Sequence, residues 1–385
     1  MPGLHSLPII ERSQTTDDSL CLRFKVPDEL RPAFAFKEGQ FVALEADIEG
    51  EPTRRNYSIC SSVQEYERSS TFSVGIRILA QGRFSNWASE HLHKGARIKV
   101  MTPDGRFVPP GFQATATEPA DASLAKREAL SIQMPRRHHL AFAGGSGITP
   151  ILSIIRTRMH QEPDSHFTLV YANRHSQSVM FMEELEDLKN EYMTRFQRIH
   201  VLSEERGDLE LHHGLLDKHK CATLLEKLIN PHSVDVAYVC GPEPIMLAAE
   251  AALLEAGVDR SKILLERFGS PASAPPERLT STLQDSGETS TETCTVVIAI
   301  DGKQRTIKVP RQGQSILQAG LRAGLPLPYA CQAAVCCTCR AKVLEGEVHM
   351  VKNYTLQAEE LARGFVLSCQ AHPVSTHVAL SFDER

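Results

Sequence analysis

The sequence predicts three folded domains in a row: an antiparallel β-barrel, an α/β domain with a parallel sheet, and a small α+β domain. At 385 residues the chain is too long for one hydrophobic core, because domains commonly have about 150 residues. Short runs rich in Val, Ile, Phe and Thr fill its first part, and apolar runs alternate with helical stretches in its middle. A hairpin signal followed by a helical stretch begins its last part.

The overall composition argues against several classes of protein. The chain is 42% hydrophobic and 23% charged, close to the average of globular proteins, and its net charge of −5 offers no basic surface for nucleic acid. The least polar stretch, residues 140–155, is broken by glycines and a proline and is shorter than the about 20 residues of a membrane-spanning helix. The first residues lack the features of a secretion signal. We therefore expect a cytoplasmic protein with reduced thiols and without nucleic-acid or membrane partners.

Residues 1–112 are predicted to form the barrel, and residues 113–136 a connecting insertion with little periodicity. The strand signals of the barrel are punctuated by Gly and Pro, and they fall at 20–26, 40–46, 72–78 and 97–101. Several short strands at such spacings are typical of barrels and sandwiches.

Residues 137–269 are predicted to form the α/β domain. Its apolar strand signals alternate with helical stretches in the order 139–143, 151–159, 167–172, 181–192, 236–239 and 243–255. Apolar strands that alternate with helices indicate a parallel sheet covered on both faces.

Residues 270–293 are predicted to be a flexible linker, because 13 of these 24 residues are Ser, Thr or Pro. The last domain, 294–385, begins with two strand signals on either side of Asp301 and Gly302. A helical stretch follows at 315–323. A mobile domain at the carboxyl end of the chain is therefore expected.

The most specific signal in the sequence is the cysteine spacing of the last domain. Cys331, Cys336 and Cys339 lie within nine residues, and 29 residues separate Cys339 from Cys369. This is the plant-type spacing for a [2Fe–2S] cluster, so these four thiols are the candidate iron ligands. Zinc sites usually bring their ligands as two short hooks, which makes a zinc site the weaker alternative. Cys337 could take the place of Cys336, and the spacing alone leaves that choice open.

The cysteine-rich stretch resembles the cluster loop of plant-type ferredoxins. The resemblance implies a β-grasp fold for residues 294–385. Those ferredoxins commonly have Gly where this chain has Ala334, a difference that strains the loop if φ is positive there.

The tetrapeptide at 55–58 resembles the Arg-x-Tyr-Ser motif of the ferredoxin–NADP reductase superfamily. The resemblance implies bound FAD, with Arg55 at the pyrophosphate and with Tyr57 and Ser58 at the flavin ring and ribityl chain. It also implies a second phosphate loop that includes Gly82, Phe84 and Ser85. A solvated arginine beside a buried tyrosine is the alternative for the tetrapeptide alone. Arg77, at the end of a strand, is interpreted as a surface charge.

Two glycine-containing turns resemble the nicotinamide-nucleotide signatures of the same superfamily. Glycines between a strand and a helix let the chain turn tightly and leave the amide groups of the helix N-terminus to a pyrophosphate. The resemblance implies that these residues bind the nucleotide: Gly144, Gly145, Gly147, Thr149, Arg174, Gly241 and Pro242. It places Cys240 beside the hydride-donating carbon and Phe268 against the flavin. A simple turn, a buried structural thiol and a core aromatic ring are the respective alternatives.

The order of the three domains resembles the reductase components of multicomponent oxygenases, and among them the phenylacetyl-CoA epoxidase reductases. The resemblance implies an NAD(P)H-dependent oxidoreductase that passes electrons through FAD and [2Fe–2S] to an oxygenase partner, with NADPH preferred over NADH. Ser58 and Cys240 are the expected catalytic residues. The alternatives are a reductase of a ring-hydroxylating or steroid hydroxylase system, and a non-enzymatic zinc-bearing interaction protein.

Overall fold

The computed structural model describes residues 3–110, 136–206, 209–269, 293–311 and 313–384. Apart from residues 136 and 293, the predicted connecting insertion beyond residue 112 and the predicted linker 270–293 lie outside these ranges. None of the helices within the described ranges combines the length and the apolar character that a membrane span requires.

The first domain is a six-stranded antiparallel barrel with two short helices. Its strands are β1 (Leu4–Thr16), β2 (Ser19–Lys25), β3 (Phe41–Ile48), β4 (Glu51–Ser58), β5 (Thr71–Arg77) and β6 (Arg97–Met101). Its helices are α1 (Val63–Ser69) and α2 (Arg83–His91). The strand order is β4-β3-β6-β1-β2-β5, and a bridge between Ile59 and Val74 brings the two edges together.

Strand β3 packs on the barrel core with one face and against the third domain with the other. Val42 and Leu44 point into the barrel core, as expected for alternate residues of a strand. Phe41 and Ala43 point outward, yet both are buried, because the third domain covers them. A strand with apolar side chains on both faces needs partners on both sides, and the third domain is the second partner of β3.

The second domain is a five-stranded parallel sheet in the order β11-β10-β7-β8-β9. Its strands are β7 (His138–Gly144), β8 (His166–Asn173), β9 (Phe196–Leu202), β10 (Val236–Cys240) and β11 (Ile263–Glu266). Its helices are α3 (Ile148–Gln161), α4 (Met182–Glu191), α5 (Lys218–Lys227) and α6 (Glu243–Glu255). Helices α3 and α4 cover one face of the sheet, and α5 and α6 cover the other.

The third domain is a five-stranded mixed sheet in the order β13-β12-β18-β14-β16, with a separate two-stranded ribbon of β15 and β17. Its strands are β12 (Thr293–Ile300), β13 (Lys303–Pro310), β14 (Arg340–Glu345), β15 (Val348–Met350), β16 (Phe365–Leu367), β17 (Ala371–Pro373) and β18 (His377–Ser381). Its helices are α7 (Ile316–Arg322) and α8 (Ala358–Ala362). The first and last strands pair in parallel, and α7 packs against the sheet, which is the expected β-grasp arrangement.

The predicted fold class is confirmed in all three domains. Every strand and helix that the sequence predicted is present, with ends that differ by at most a few residues. The local patterns did not predict four of the helices and eight of the strands: α1, α2, α5, α8, β1, β9, β11 and β14–β18. Helix α2 begins directly after Gly82, where a phosphate loop was expected, so that segment is a helix N-terminus rather than an extended loop.

Candidate functional site

The first nucleotide turn joins β7 to α3. Gly144 ends the strand, residues Gly145–Gly147 form one 3-10 turn, and the helix begins at Ile148. Gly145 has φ of +50°, a conformation that favours glycine. The Thr149 hydroxyl donates to the Ser146 carbonyl oxygen at 3.0 Å and stabilises the turn. The first amide groups of an α-helix have no partner inside the helix, so the start of α3 is a candidate position for a pyrophosphate.

The second nucleotide turn joins β10 to α6 and lies against the first. A Cβ atom on Gly241 would lie 2.8 Å from the Gly144 nitrogen, and one on Gly147 would overlap the Cys240 carbonyl oxygen. The two turns meet because β7 and β10 are neighbouring parallel strands whose carboxyl ends share one edge. Pro242 caps α6 at this edge. The Cys240 side chain is fully buried, and burial raises the pKa of its thiol well above the usual value, so the thiol is neutral.

The flavin candidates lie on β4, at the edge of the barrel. Tyr57 and Ser58 pair in register with Val42 and Phe41 of β3. Burial raises the pKa of Tyr57, which keeps its phenol protonated. Arg55 Nη1 donates to the carbonyl oxygen of the preceding residue at 2.7 Å. All three side chains therefore project from β4, and Arg55 precedes Tyr57 by two residues in that strand.

The second phosphate segment is formed by the start of α2. The Ser85 hydroxyl accepts from the Leu79 nitrogen at 3.1 Å and donates to the Gly82 carbonyl oxygen at 3.2 Å. Phe84 is buried in the barrel core, with its ring centre 5.8 Å from that of Tyr57. Phe84 thus offers only its main chain to a bound group, and its side chain instead supports Tyr57.

The barrel and the nucleotide domain meet beside the first nucleotide turn. A Cβ atom on Gly75 of β5 would lie 2.8 Å from Thr149 Cγ2, and one on Gly145 would lie 2.7 Å from Arg77 Nη1. Thr149 is therefore placed against the barrel strand next to β4, near the flavin candidates. The space between the two domains is where both predicted nucleotides would meet.

Arg77 is a candidate that the sequence analysis missed. Its side chain is 23% exposed and donates to Asp18 Oδ2 at 2.8 Å, and Arg174 Nη2 lies 3.7 Å from the same oxygen. Burial would raise the pKa of Asp18, but the hydrogen bond from Thr16 and the charges of the two arginines lower it. The interpretation of Arg77 as a surface charge is wrong, because strand pairing and domain packing direct it at Gly145. No local sequence signal could have indicated this contact.

Phe268 is 48% exposed, which excludes the core aromatic ring considered above. It lines a groove of about 280 Å³ together with Gly241, Ala333 and Tyr354. The groove lies where the second and third domains face each other, so the ring is free to stack on a planar group.

The four candidate iron ligands come together from two segments of the third domain. Cys331 and Cys336 are hydrogen-bonding neighbours, and so are Cys339 and Cys369. Two adjacent thiol pairs fit two iron atoms better than one tetrahedral zinc ion.

The choice between Cys336 and Cys337 depends on the backbone of the loop. Cys337 has φ of +56°, and its thiol donates to Thr355 Oγ1 at 2.9 Å, away from the paired thiols. Ala334 also has a positive φ, of +63°, so the chain bears the strain that glycine would avoid. The Ala333 nitrogen donates to Cys331 Sγ at 3.3 Å, an example of the amide contacts that a thiolate-bound cluster requires.

The cysteine loop lies on the outer face of β3. Cys331, Cys336 and Ala330 share a buried apolar cluster with Phe41 and Ala43. Because β4 is the next strand, the cluster candidates and the flavin candidates are separated by little more than one strand of the barrel.

Three family models match consecutive parts of the chain. An oxidoreductase FAD-binding domain matches residues 6–108, an oxidoreductase NAD-binding domain matches 142–251, and a 2Fe-2S iron-sulfur cluster binding domain matches 298–374. The predicted cofactors FAD, nicotinamide nucleotide and [2Fe–2S] are thereby confirmed.

Full-length relatives show the same order of domains. The chain is 40% identical to a 1,2-phenylacetyl-CoA epoxidase subunit of Escherichia coli over 100% of this chain and 99% of the relative. It is 31% identical to the ferredoxin reductase component of 3-ketosteroid-9-alpha-monooxygenase from Rhodococcus rhodochrous, over 96% and 94%. Among solved structures, phthalate dioxygenase reductase superposes with a TM-score of 0.58 at 19% identity, covering 99% of this chain and 98% of that one. The chain therefore belongs to the family of FAD- and [2Fe–2S]-dependent NAD(P)H oxidoreductases that includes this epoxidase subunit.

Proposed function

We propose that this protein is the reductase component of a multicomponent oxygenase, and that its acceptor is a phenylacetyl-CoA epoxidase-type di-iron oxygenase. The observation that carries the proposal is the 40% identity to the Escherichia coli epoxidase subunit over the whole chain. The packing of the cysteine loop on the strand beside the flavin candidates supports electron transfer inside one molecule. When bound, FAD accepts the two electrons of a hydride and [2Fe–2S] carries electrons singly.

The barrel residues have distinct roles in this proposal. Arg55 holds the flavin pyrophosphate with its planar guanidinium, and the amide groups at the start of α2 bind the same group, with Gly82 and Ser85 shaping that turn. Tyr57 supports one face of the flavin ring, and Phe268 covers the other. Ser58, which is nearly fully buried, offers its hydroxyl to the reacting edge of the ring.

The residues of the second domain orient the nicotinamide nucleotide. Gly144, Gly145 and Gly147 let the pyrophosphate approach the start of α3, and Gly241 and Pro242 form the opposite wall. Thr149 and Cys240 flank the nicotinamide. The neutral, buried Cys240 thiol contacts the nicotinamide as an apolar group and excludes water from the path of the hydride. This role requires no proton transfer by Cys240.

Preference for NADPH is part of the proposal and rests on Arg174. Its side chain is 55% exposed and lies at the end of β8, where a 2′-phosphate could bind. The carbonyl oxygen of Arg174 accepts a hydrogen bond from the Glu204 nitrogen at 2.8 Å, so the exposed Glu204 carboxylate lies near Arg174. Because this negative charge repels a 2′-phosphate, it limits the preference for NADPH.

The comparisons distinguish the possible oxygenase acceptors least, because the reductase of a steroid monooxygenase is also a full-length relative, at 31% identity. The test is anaerobic titration of the purified protein with NADPH, followed by mixing with each purified oxygenase. We expect bleaching of the flavin, an electron paramagnetic resonance signal from the reduced cluster, and reoxidation by the phenylacetyl-CoA epoxidase oxygenase. Bleaching without the cluster signal contradicts the electron path, and reoxidation by a steroid oxygenase alone contradicts the proposed acceptor.

A further inference from the structure

The surface of the third domain around Cys331 and Cys336 is covered by the barrel. The centre of this interface is apolar and consists of Phe41, Ala43 and Met101 on the barrel, and Ala330, Cys331 and Cys336 on the third domain. Cys331 is 4% exposed and Cys336 is 6% exposed.

The two thiol pairs differ in what surrounds them. Cys339 and Cys369 pack into the domain's own hydrophobic core with residues such as Leu367. Cys331 and Cys336 instead belong to the interface cluster. Iron held by Cys331 and Cys336 would therefore be nearer to the surface of the third domain than iron held by Cys339 and Cys369, and the barrel covers that surface.

A first polar contact borders the apolar centre at Arg54. Its Nη1 atom donates to the Tyr329 carbonyl oxygen at 2.5 Å, and its guanidinium carbon lies 4.0 Å from the centre of the Tyr329 ring. Glu45 holds the arginine in place with an Nη2–Oε2 distance of 2.6 Å. Tyr329 precedes Cys331 by two residues, so this contact fixes the cysteine loop against the barrel.

A second polar contact between the barrel and the third domain is made by Arg106. Its two terminal nitrogens donate to the two carboxylate oxygens of Glu360 at 2.8 and 2.9 Å, a bidentate arrangement. Arg340 of the third domain lies 3.1 Å from Glu360, and Thr338 donates to Asp104 of the barrel at 3.1 Å. Arg106 is 44% exposed, so water and salt weaken this pair.

The third domain thus offers to the barrel an apolar cluster and two acceptors for cations, Tyr329 and Glu360. The barrel supplies two arginines in matching positions. Interfaces between domains of one chain that combine apolar contacts with partly exposed ion pairs, such as Arg106 with Glu360, are typical of contacts that form and release.

Building on the proposed function, we propose that this same face of the third domain binds the oxygenase, so that barrel and oxygenase compete for it. The oxygenase would present an apolar patch together with cationic side chains, as the barrel does. In the step that follows docking, one electron leaves the reduced cluster and reduces one metal ion of the oxygenase, and no bond is made or broken. The contact with the barrel serves electron uptake, and its release permits delivery.

The two halves of one ion pair give a matched test. Arg106→Ala weakens only the barrel side, whereas Glu360→Gln weakens the shared face and keeps the helix-capping acceptor for the Gln357 nitrogen. Cluster reduction by NADPH is measured by stopped-flow without oxygenase, and the KM for the purified phenylacetyl-CoA epoxidase oxygenase is measured at steady state. Flavin content, iron content and the rate of flavin reduction by NADPH verify that both variants are intact.

We expect slower cluster reduction in both variants and opposite effects on the KM for the oxygenase. Arg106→Ala lowers this KM and Glu360→Gln raises it, each by about threefold for a partly exposed pair. An equal or unchanged KM in the two variants overturns the shared face, and so does unchanged cluster reduction in Arg106→Ala. Failure of the unaltered protein to reduce the oxygenase contradicts the proposed acceptor instead, and with it the competition.

Discussion

Arg77 of the barrel lies directly against Gly145 of the nucleotide turn, where a Cβ atom would come within 2.7 Å of Nη1. The positive φ of Gly145 and this close approach explain why no larger residue fits there. The contact brings a cation from the first domain to the N-terminus of α3 in the second. A nucleotide bound at that terminus would be held by both domains at once.

Replacing Arg77 with Ala is expected to raise the KM for NADPH about tenfold, since a hydrogen bond to a charged group contributes about 1.5 kcal/mol. The kcat should change little, because Arg77 does not contact the hydride path. Ferricyanide reduction with NADPH measures both constants without the oxygenase. Arg23→Ala is the control, because Arg23 is also a partly exposed, ion-paired barrel arginine, at 39% exposure. An equal KM in the two variants would contradict a role for Arg77 in binding.

Cys336→Ser is expected to abolish the cluster signal, whereas Cys337→Ser retains it. The reason is that Cys336 pairs with Cys331 while Cys337 bonds to Thr355. Iron content and the electron paramagnetic resonance spectrum of the reduced protein check this outcome. The two variants are neighbours in the chain and remove the same atom, so each is the control for the other. A cluster that survives in Cys336→Ser but not in Cys337→Ser would reverse the ligand assignment.

Arg174→Ala is expected to lower kcat/KM for NADPH by about tenfold and to leave kcat/KM for NADH nearly unchanged. Only NADPH carries the 2′-phosphate that the guanidinium would bind. Parallel steady-state assays with both nucleotides measure the ratio. A parallel loss with both nucleotides would place Arg174 at the pyrophosphate or in a structural role, and the NADPH preference would then need another residue.

Glu162→Gln is expected to destabilise the contact between the first two domains by about 3 kcal/mol, because it breaks a buried ion pair. Glu162 is 1% exposed and bonds to His139 at 2.9 Å and to Arg158 at 3.0 Å. Arg158 in turn pairs with Glu38 of the barrel. Thermal unfolding of the flavin-bound protein measures the loss, and Glu186→Gln, at a half-exposed pair with Arg198, is the control.

The same carboxylate predicts a pH dependence. Burial would raise the pKa of Glu162, but hydrogen bonds from His139, Ser165 and Arg158 outweigh it and lower the pKa to about 2. A carboxyl whose pKa is lower in the folded than in the unfolded protein stabilises the fold at pH values above its ordinary pKa of 4.5. This stabilisation is lost as the pH falls from there toward 2. Melting temperatures between pH 5 and 3 should therefore fall more steeply in the unaltered protein than in Glu162→Gln. Equal slopes would show that the charge of Glu162 does not stabilise the fold.

The sequence by itself determined the three domains and the cysteine set for [2Fe–2S], and its resemblance to known reductases implied FAD and the nicotinamide nucleotide. The domains and the cysteine set follow from properties that neighbouring residues carry: alternation along β2, apolar runs such as β7 and β10, and the spacing of Cys331, Cys336, Cys339 and Cys369. The sequence did not predict the helix at 83–91, because Gly82 and Ser85 are equally compatible with a turn. Burial of the Phe84 side chain in the barrel core favours the helix.

Only the tertiary structure decided which domains touch and which side chains face each other across them. The contacts of Arg77 with Gly145, Arg54 with Tyr329 and Arg106 with Glu360 join residues that are far apart in the chain. An arginine on a strand has the same local pattern whether it faces water or another domain. Its partner is fixed by how whole sheets pack, and that information is distributed over the apolar faces of all three domains rather than held in any one segment.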